Sequence, residues 1–140
     1  YKVRCAELCG TSHAYMENPI IVNTQADYDA WIIEQTEIAQ QLAQTPEGQG
    51  RLLAVRNGCL GCHSLDGTPG TGPTWFNLFG KQENLDDGTA ILVDEAYLAE
   101  SILNPNAKIV AGFTSPSVMP AFVFTDEEIA NIIAYIQTLK

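Results

Sequence analysis

The C-terminal segment carries the clearest alternation of apolar and polar positions. Ile129, Ile132, Ile133 and Ile136 recur at helical spacing, so one apolar face runs along a helix. Thr125 and Glu128 ahead of them form a capping box that starts it. A second helix is expected from Asp94 to Leu103, with Tyr97, Leu98 and Ile102 on one side. It stops at Asn104-Pro105, because a residue before proline is pushed out of the helical region. A short third helix is expected over Arg51 to Asn57. Upstream, Tyr28, Trp31, Ile32, Ile38, Ala39 and Leu42 also recur at helical spacing, with Asn23, Thr24 and Asp27 as caps. The β-branched run Pro19-Ile20-Ile21-Val22 reads as a strand. Gln44 to Gly50 is polar, with Pro46, Gly48 and Gly50, and is the expected linker. Six of the eleven glycines fall between Gly58 and Gly80, with Pro69 and Pro73 among them, so that stretch is loop.

Composition narrows the function classes. The 140 residues are 46% apolar, enough for a packed core, and the net charge is −10. Seven Lys and Arg without a basic run argue against nucleic acid, whose phosphates demand clustered cations. They argue equally against a polybasic membrane-surface segment. No apolar stretch is long enough to span a bilayer. The chain does not begin with Met and shows no leader, so a piece of a longer polypeptide is expected. Any membrane attachment would then come from an upstream part. The acidic residues Glu83, Asp86, Asp87, Asp94, Glu95 and Glu100 read as solvated surface, with a docking face for a basic partner as the alternative.

Candidate chemistry lies in two clusters. Cys59-Leu60-Gly61-Cys62-His63 has the spacing of covalent haem attachment: one helical turn presents both sulfurs to one porphyrin edge and turns the imidazole under the iron. Of the two methionines, Met119 sits between the middle and last helices in a segment poor in charge, where Lys108 is the one charged residue before Asp126. A thioether opposite an imidazole raises the reduction potential and closes the iron to other ligands. The other reading of Met119 is a flexible core filler. Trp75 and Tyr97 are candidates to hydrogen-bond haem propionates, or are core aromatics. Gly67 to Pro73 superficially suggests a phosphate loop, but no Lys-Ser/Thr follows and two prolines remove amides. No catalytic triad or dyad remains once the ligands are assigned, so this portion is expected to carry electrons and not to catalyse.

Residues 47–140 resemble class I cytochrome c. The resemblance rests on Gly50-Arg51-Leu52-Leu53, Cys59-x-x-Cys62-His63, Gly72-Pro73, Met119-Pro120 and a last helix with Tyr135-Ile136 and Leu139. It implies an all-α fold around one covalent haem c, a Pro73 carbonyl bonded to His63 Nδ1, and crossed first and last helices with Leu53 against Ile132 to Ile136. Ala54 stands where the family often has an aromatic.

Cys5, Cys9, His13 and Met16 make the second cluster. On the residues alone it is a soft ligand set suited to copper, a Cys5–Cys9 disulfide, or two thiols beside an unrelated histidine. Cys-x-Glu-x-Cys-Gly-x-x-His-x-x-Met is similar to the copper-A signature of cytochrome c oxidase subunit II, a cupredoxin domain. That resemblance implies bridging Cys5 and Cys9, terminal His13 and Met16, and the Glu7 carbonyl as a further ligand. A second histidine, expected well upstream, is absent from this chain, so the dinuclear copper centre is expected only in the full-length subunit.

The two signatures in this order look like subunit II of a caa-type haem–copper oxidase. The implied organisation is residues 1–43 as a cupredoxin remnant of strand and helix, 44–50 as linker and 51–140 as cytochrome domain. The implied role is to accept electrons from a donor protein and pass them to copper-A and oxidase subunit I, on the outer face of the bacterial cytoplasmic membrane. Two rivals are a free-standing shuttle cytochrome and a zinc module built on Cys5, Cys9, Cys59 and Cys62.

Overall fold

The computed structural model describes residues 1–6, 17–68 and 70–140. The candidate ligands Glu7, Cys9, His13 and Met16, and Pro69, lie outside the described residues; Cys5 is described and partly exposed. The chain divides into two compact units, Tyr1–Glu37 and Ile38–Lys140.

The first unit holds an antiparallel pair, β1 (Lys2–Arg4) and β2 (Glu17–Pro19), in which Lys2 faces Pro19 and Arg4 faces Glu17. The strand expected at residues 19–22 therefore lies earlier, at 17–19, the two sharing Pro19. The ladder needs a partner, and its last cross-strand bond is the Ile20 N–H to the Tyr1 carbonyl, 2.9 Å. Propensity located an extended run, but pairing chose its register. Lys2 and Arg4 both reach Glu17, at 2.6 and 3.3 Å. Helix α1 (Gln25–Leu42), whose last five residues belong to the second unit, is capped by Thr24, whose hydroxyl accepts from Asp27 N–H at 3.2 Å. None of its residues is buried.

In the second unit, α2 (Pro46–Arg56) begins five residues before the expected Arg51. Pro46 takes the first helical turn, where no amide partner is needed, and the Thr45 hydroxyl accepts from Gly48 N–H at 3.1 Å. Most of the expected linker is thus helix. A short 3-10 turn (Cys59–Gly61) follows, then loop to a hairpin that the residue pattern did not announce, β3 (Gln82–Asn84) with β4 (Ala90–Leu92). Helix α3 (Glu95–Leu103) is capped by Asp94, which accepts from Tyr97 N–H at 2.8 Å. Helix α4 (Asp126–Thr138) opens with the expected capping box. Among the described residues this is a four-helix fold with little sheet.

Helices α2 and α4 cross at Gly50. A Cβ there would stand 1.8 Å from the Asn131 carbonyl oxygen, so only glycine permits this approach. The Asn131 side chain donates to Gln49 Oε1 at 2.8 Å beside it. Ala54 is 0% exposed: where the backbones lie this close, a small side chain fills the space. The core joins Ala54, Leu98 and Ile102 to Ile129, Ile132, Ile133 and Ile136.

Candidate haem site

One cavity of about 320 Å³ opens in the second unit, and Cys59, Cys62, His63 and Met119 all line it. Trp75, Tyr97 and Pro73, the other residues expected at a haem, line it too. Leu98, Ile102, Phe122, Ile132 and Ile136 supply apolar wall from α3, the distal segment and α4.

Local hydrogen bonds set the proximal side. The Cys59 carbonyl accepts from the N–H groups of Cys62 and His63, at 3.2 and 3.0 Å, which curls the motif so that both thiols and the imidazole reach one cavity. His63 Nδ1 lies 2.7 Å from the Pro73 carbonyl. A carbonyl can only accept, so Nδ1 carries the proton and Nε2 keeps its lone pair. Burial pushes the His63 pKa down from its ordinary value, with the Pro73 bond opposing, and a neutral imidazole is the form that ligates a metal. Trp75 stacks on the ring, centroids 5.2 Å apart, and Tyr135 meets Trp75 edge-on at 6.2 Å. At Gly72 a Cβ would stand 2.6 Å from His63 Cε1. The imidazole is thus held by a carbonyl, an indole and a glycine.

Cys59 and Cys62 are free thiols. Burial pushes the Cys59 pKa up; its own backbone hydrogen bond lowers it and neighbouring Cys62 raises it.

The distal side is anchored at several points. Met119 N–H donates to Ser117 Oγ at 3.1 Å, and Ser117 N–H donates to Asn106 Oδ1 at 2.9 Å. Phe122 N–H reaches the Ile102 carbonyl of α3 at 3.3 Å, and Ala111 N–H the Asn84 carbonyl of β3 at 2.8 Å. The unannounced hairpin therefore braces the segment that carries Met119.

The acidic residues mostly serve neighbours. Asp94 caps α3, Glu83 pairs with Lys81 at 2.7 Å, Glu95 accepts from Gln137 and Glu100 pairs with Lys108. Lys108 also lines the cavity, beyond the site residues that the motifs point to. Its signal in the sequence was its isolation in an otherwise uncharged segment. Two thiols, a neutral imidazole and a thioether around a mainly apolar cavity are a donor set that fits haem c.

The family model for cytochrome c matches residues 48–140. Cytochrome c oxidase subunit 2 of Alkalihalophilus pseudofirmus is 34% identical over 100% of this chain and 39% of its own length. The same-named subunit of Bacillus sp. (strain PS3) is 28% identical over 98% of the chain and 38% of its own length. Cytochrome c2 of Rhodospirillum rubrum is 31% identical over 61% of the chain and 92% of that protein. The chain thus spans about two fifths of the oxidase subunits it matches, and family membership sets aside the zinc module. With a haem-shaped donor set in a helical cavity and a family match over most of its length, the chain belongs to the cytochrome c family and is homologous to cytochrome c oxidase subunit 2.

Proposed function

We propose that this chain is the electron-accepting cytochrome domain of a haem–copper oxidase subunit II. The observation that carries the reading is that Cys59, Cys62, His63 and Met119 line one and the same cavity. Haem c bound there supplies a one-electron iron couple. Cys59 and Cys62 would anchor the macrocycle through thioether bonds, and His63 Nε2 and the Met119 sulfur would hold the iron. Pro73 fixes the imidazole and raises its basicity, while the aliphatic wall excludes water. Residues 51–140 would form the cytochrome domain and 1–43 the end of a copper-A domain. Cys5, Glu7, Cys9, His13 and Met16 would serve that copper in the longer subunit. The match to oxidase subunit 2 across all of this chain, the first unit included, supports this reading over a free-standing shuttle.

A donor protein would dock where the distal segment reaches the surface. Val118 and Val123 are exposed there, Val123 at 99%, and Lys108 is the only charge from Pro105 to Thr125. Docking is therefore expected to be mainly apolar, and electron-transfer rates should vary little with ionic strength; a steep dependence sinks that part. On the subunit's path, electrons would leave for copper-A and then subunit I, on the outer face of the bacterial cytoplasmic membrane. Among the described residues no helix is long and apolar enough to cross a membrane.

The test is the visible spectrum of the chain expressed with haem attachment machinery. Expected are a haem that survives acid–acetone extraction and a weak far-red band of sulfur–iron ligation in the oxidised form. Met119→Ala should remove that band and lower the potential. A colourless chain, or a band retained in Met119→Ala, overturns the reading.

A further inference from the structure

We propose that Lys108 anchors a haem propionate and that Glu100 competes for it, making this pair a device that sets the reduction potential. The proposal rests on the haem reading above. The cavity wall is largely apolar, but at one place Tyr97 and Lys108 line both the cavity and a more open recess, which Asp94 and Glu100 also line. That polar gap is where the carboxylate edge of an amphipathic ring would lie, its hydrocarbon inside. Among the described residues, Lys108 is the one cation lining the cavity.

A carboxylate brought against this wall needs a partner, because an unpaired buried charge is costly. It would also meet Glu100 on α3 and Glu83 on β3, both close enough to Tyr97 to act on its phenol. Glu83 is already neutralised by Lys81, which leaves Glu100 as the competitor. Lys108 pairs with Glu100 with side chains 36% and 41% exposed, and an ion pair that wet is weak. Transfer of the ammonium from Glu100 to a propionate therefore costs little. Tyr97 stays protonated, since burial and the two glutamates raise its pKa, and its O–H is a second donor at the same gap. A cation on the propionate disfavours ferric iron, so its presence raises the potential and the pull of Glu100 lowers it.

The haem-loaded chain carrying Lys108→Met, Lys108→Arg or Glu100→Gln tests this. Resonance Raman spectra should show the propionate bending band moved in Lys108→Met and restored in Lys108→Arg. Redox titration should show a lower potential in Lys108→Met and a higher one in Glu100→Gln. Each shift should be on the order of tenfold in equilibrium constant, which for one electron is about 59 mV. A propionate band unmoved by Lys108→Met overturns the proposal whatever the potential does, because charge removal alone moves only the potential. If Lys108→Met does not fold, Glu100→Gln decides, and an unchanged or lowered potential overturns the proposal. Absence of covalent haem in the unaltered chain sinks the underlying reading as well.

Discussion

At the scale of the residue, the imidazole of His63 is controlled by neighbours that carry no ligand of their own. Gly72 is the tightest of these. Gly72→Ala places a methyl within 2.6 Å of Cε1, so the ring must tilt from the Pro73 carbonyl. Overpacking of this kind costs about 1–3 kcal/mol. Melting curves should show that loss, and the far-red band should weaken; a variant with unaltered spectrum and stability refutes the account. Tyr97 gives a pH dependence. Its phenol is raised above the ordinary value of about 10, first by burial and then by Glu83 and Glu100. The folded state therefore holds this proton more tightly than the unfolded one. The stability it lends is complete below about pH 10 and declines as pH rises toward the folded value. Thermal melts from neutral to alkaline pH should show a shallower alkaline decline for Tyr97→Phe than for the unaltered chain.

At the scale of the element, the α2–α4 crossing is the joint on which the cavity depends, because α4 supplies Ile132 and Ile136 to its wall. The backbones touch at Gly50, so Gly50→Ala has only backbone to push against, 1.8 Å away. The expected loss is about 3 kcal/mol or more, read by denaturant unfolding, and a near-neutral result contradicts the crossing. Thr125 tests a different feature of α4. Its hydroxyl accepts from Glu128 N–H at 3.2 Å while Glu128 reaches back to Thr125 N–H at 2.9 Å. Thr125→Ala should cost about 1 kcal/mol without changing the haem spectrum. The hairpin β3–β4 does for the distal side what Pro73 does for the proximal one, through the Ala111 to Asn84 bond at 2.8 Å.

At the scale of the whole molecule, the two compact units have unlike characters. The second has its own core of buried aliphatic and aromatic side chains, whereas α1, most of which belongs to the first, buries nothing. A segment beginning at Gln44 retains the Thr45 cap, all of α2 and the entire core. It is expected to attach haem and to melt within a few degrees of the full chain. A truncated chain that takes up no haem would show that the cytochrome fold needs residues before Gln44.

Much of this was legible without coordinates, for reasons that are local. The capping box at Thr125, the stop at Asn104-Pro105 and the isoleucine face of α4 follow from hydrogen bonds and periodicity within a few residues. The motif Cys59 to His63 is read from spacing alone, and Met119 is one of two methionines in the chain; the fold adds that Cys59, Cys62, His63 and Met119 line one cavity. What the tertiary structure decided depends on residues distant in the chain. The register of β2 was settled by pairing with β1, not by the β-branched run beside it. A stretch whose Pro and Gly read as a linker is instead the start of α2, because α4 closes on it at Gly50, where only glycine leaves room for the Asn131 carbonyl. The hairpin is too short to show alternation, and its role appears only where Asn84 meets Ala111. Lys108 was visible as a lone charge, yet only the fold puts it and Glu100 at a gap in an apolar wall. Sequence sets which chemistry the chain carries, because ligand identity and spacing are local; the fold sets how that chemistry is tuned, because the tuning groups converge from separate elements.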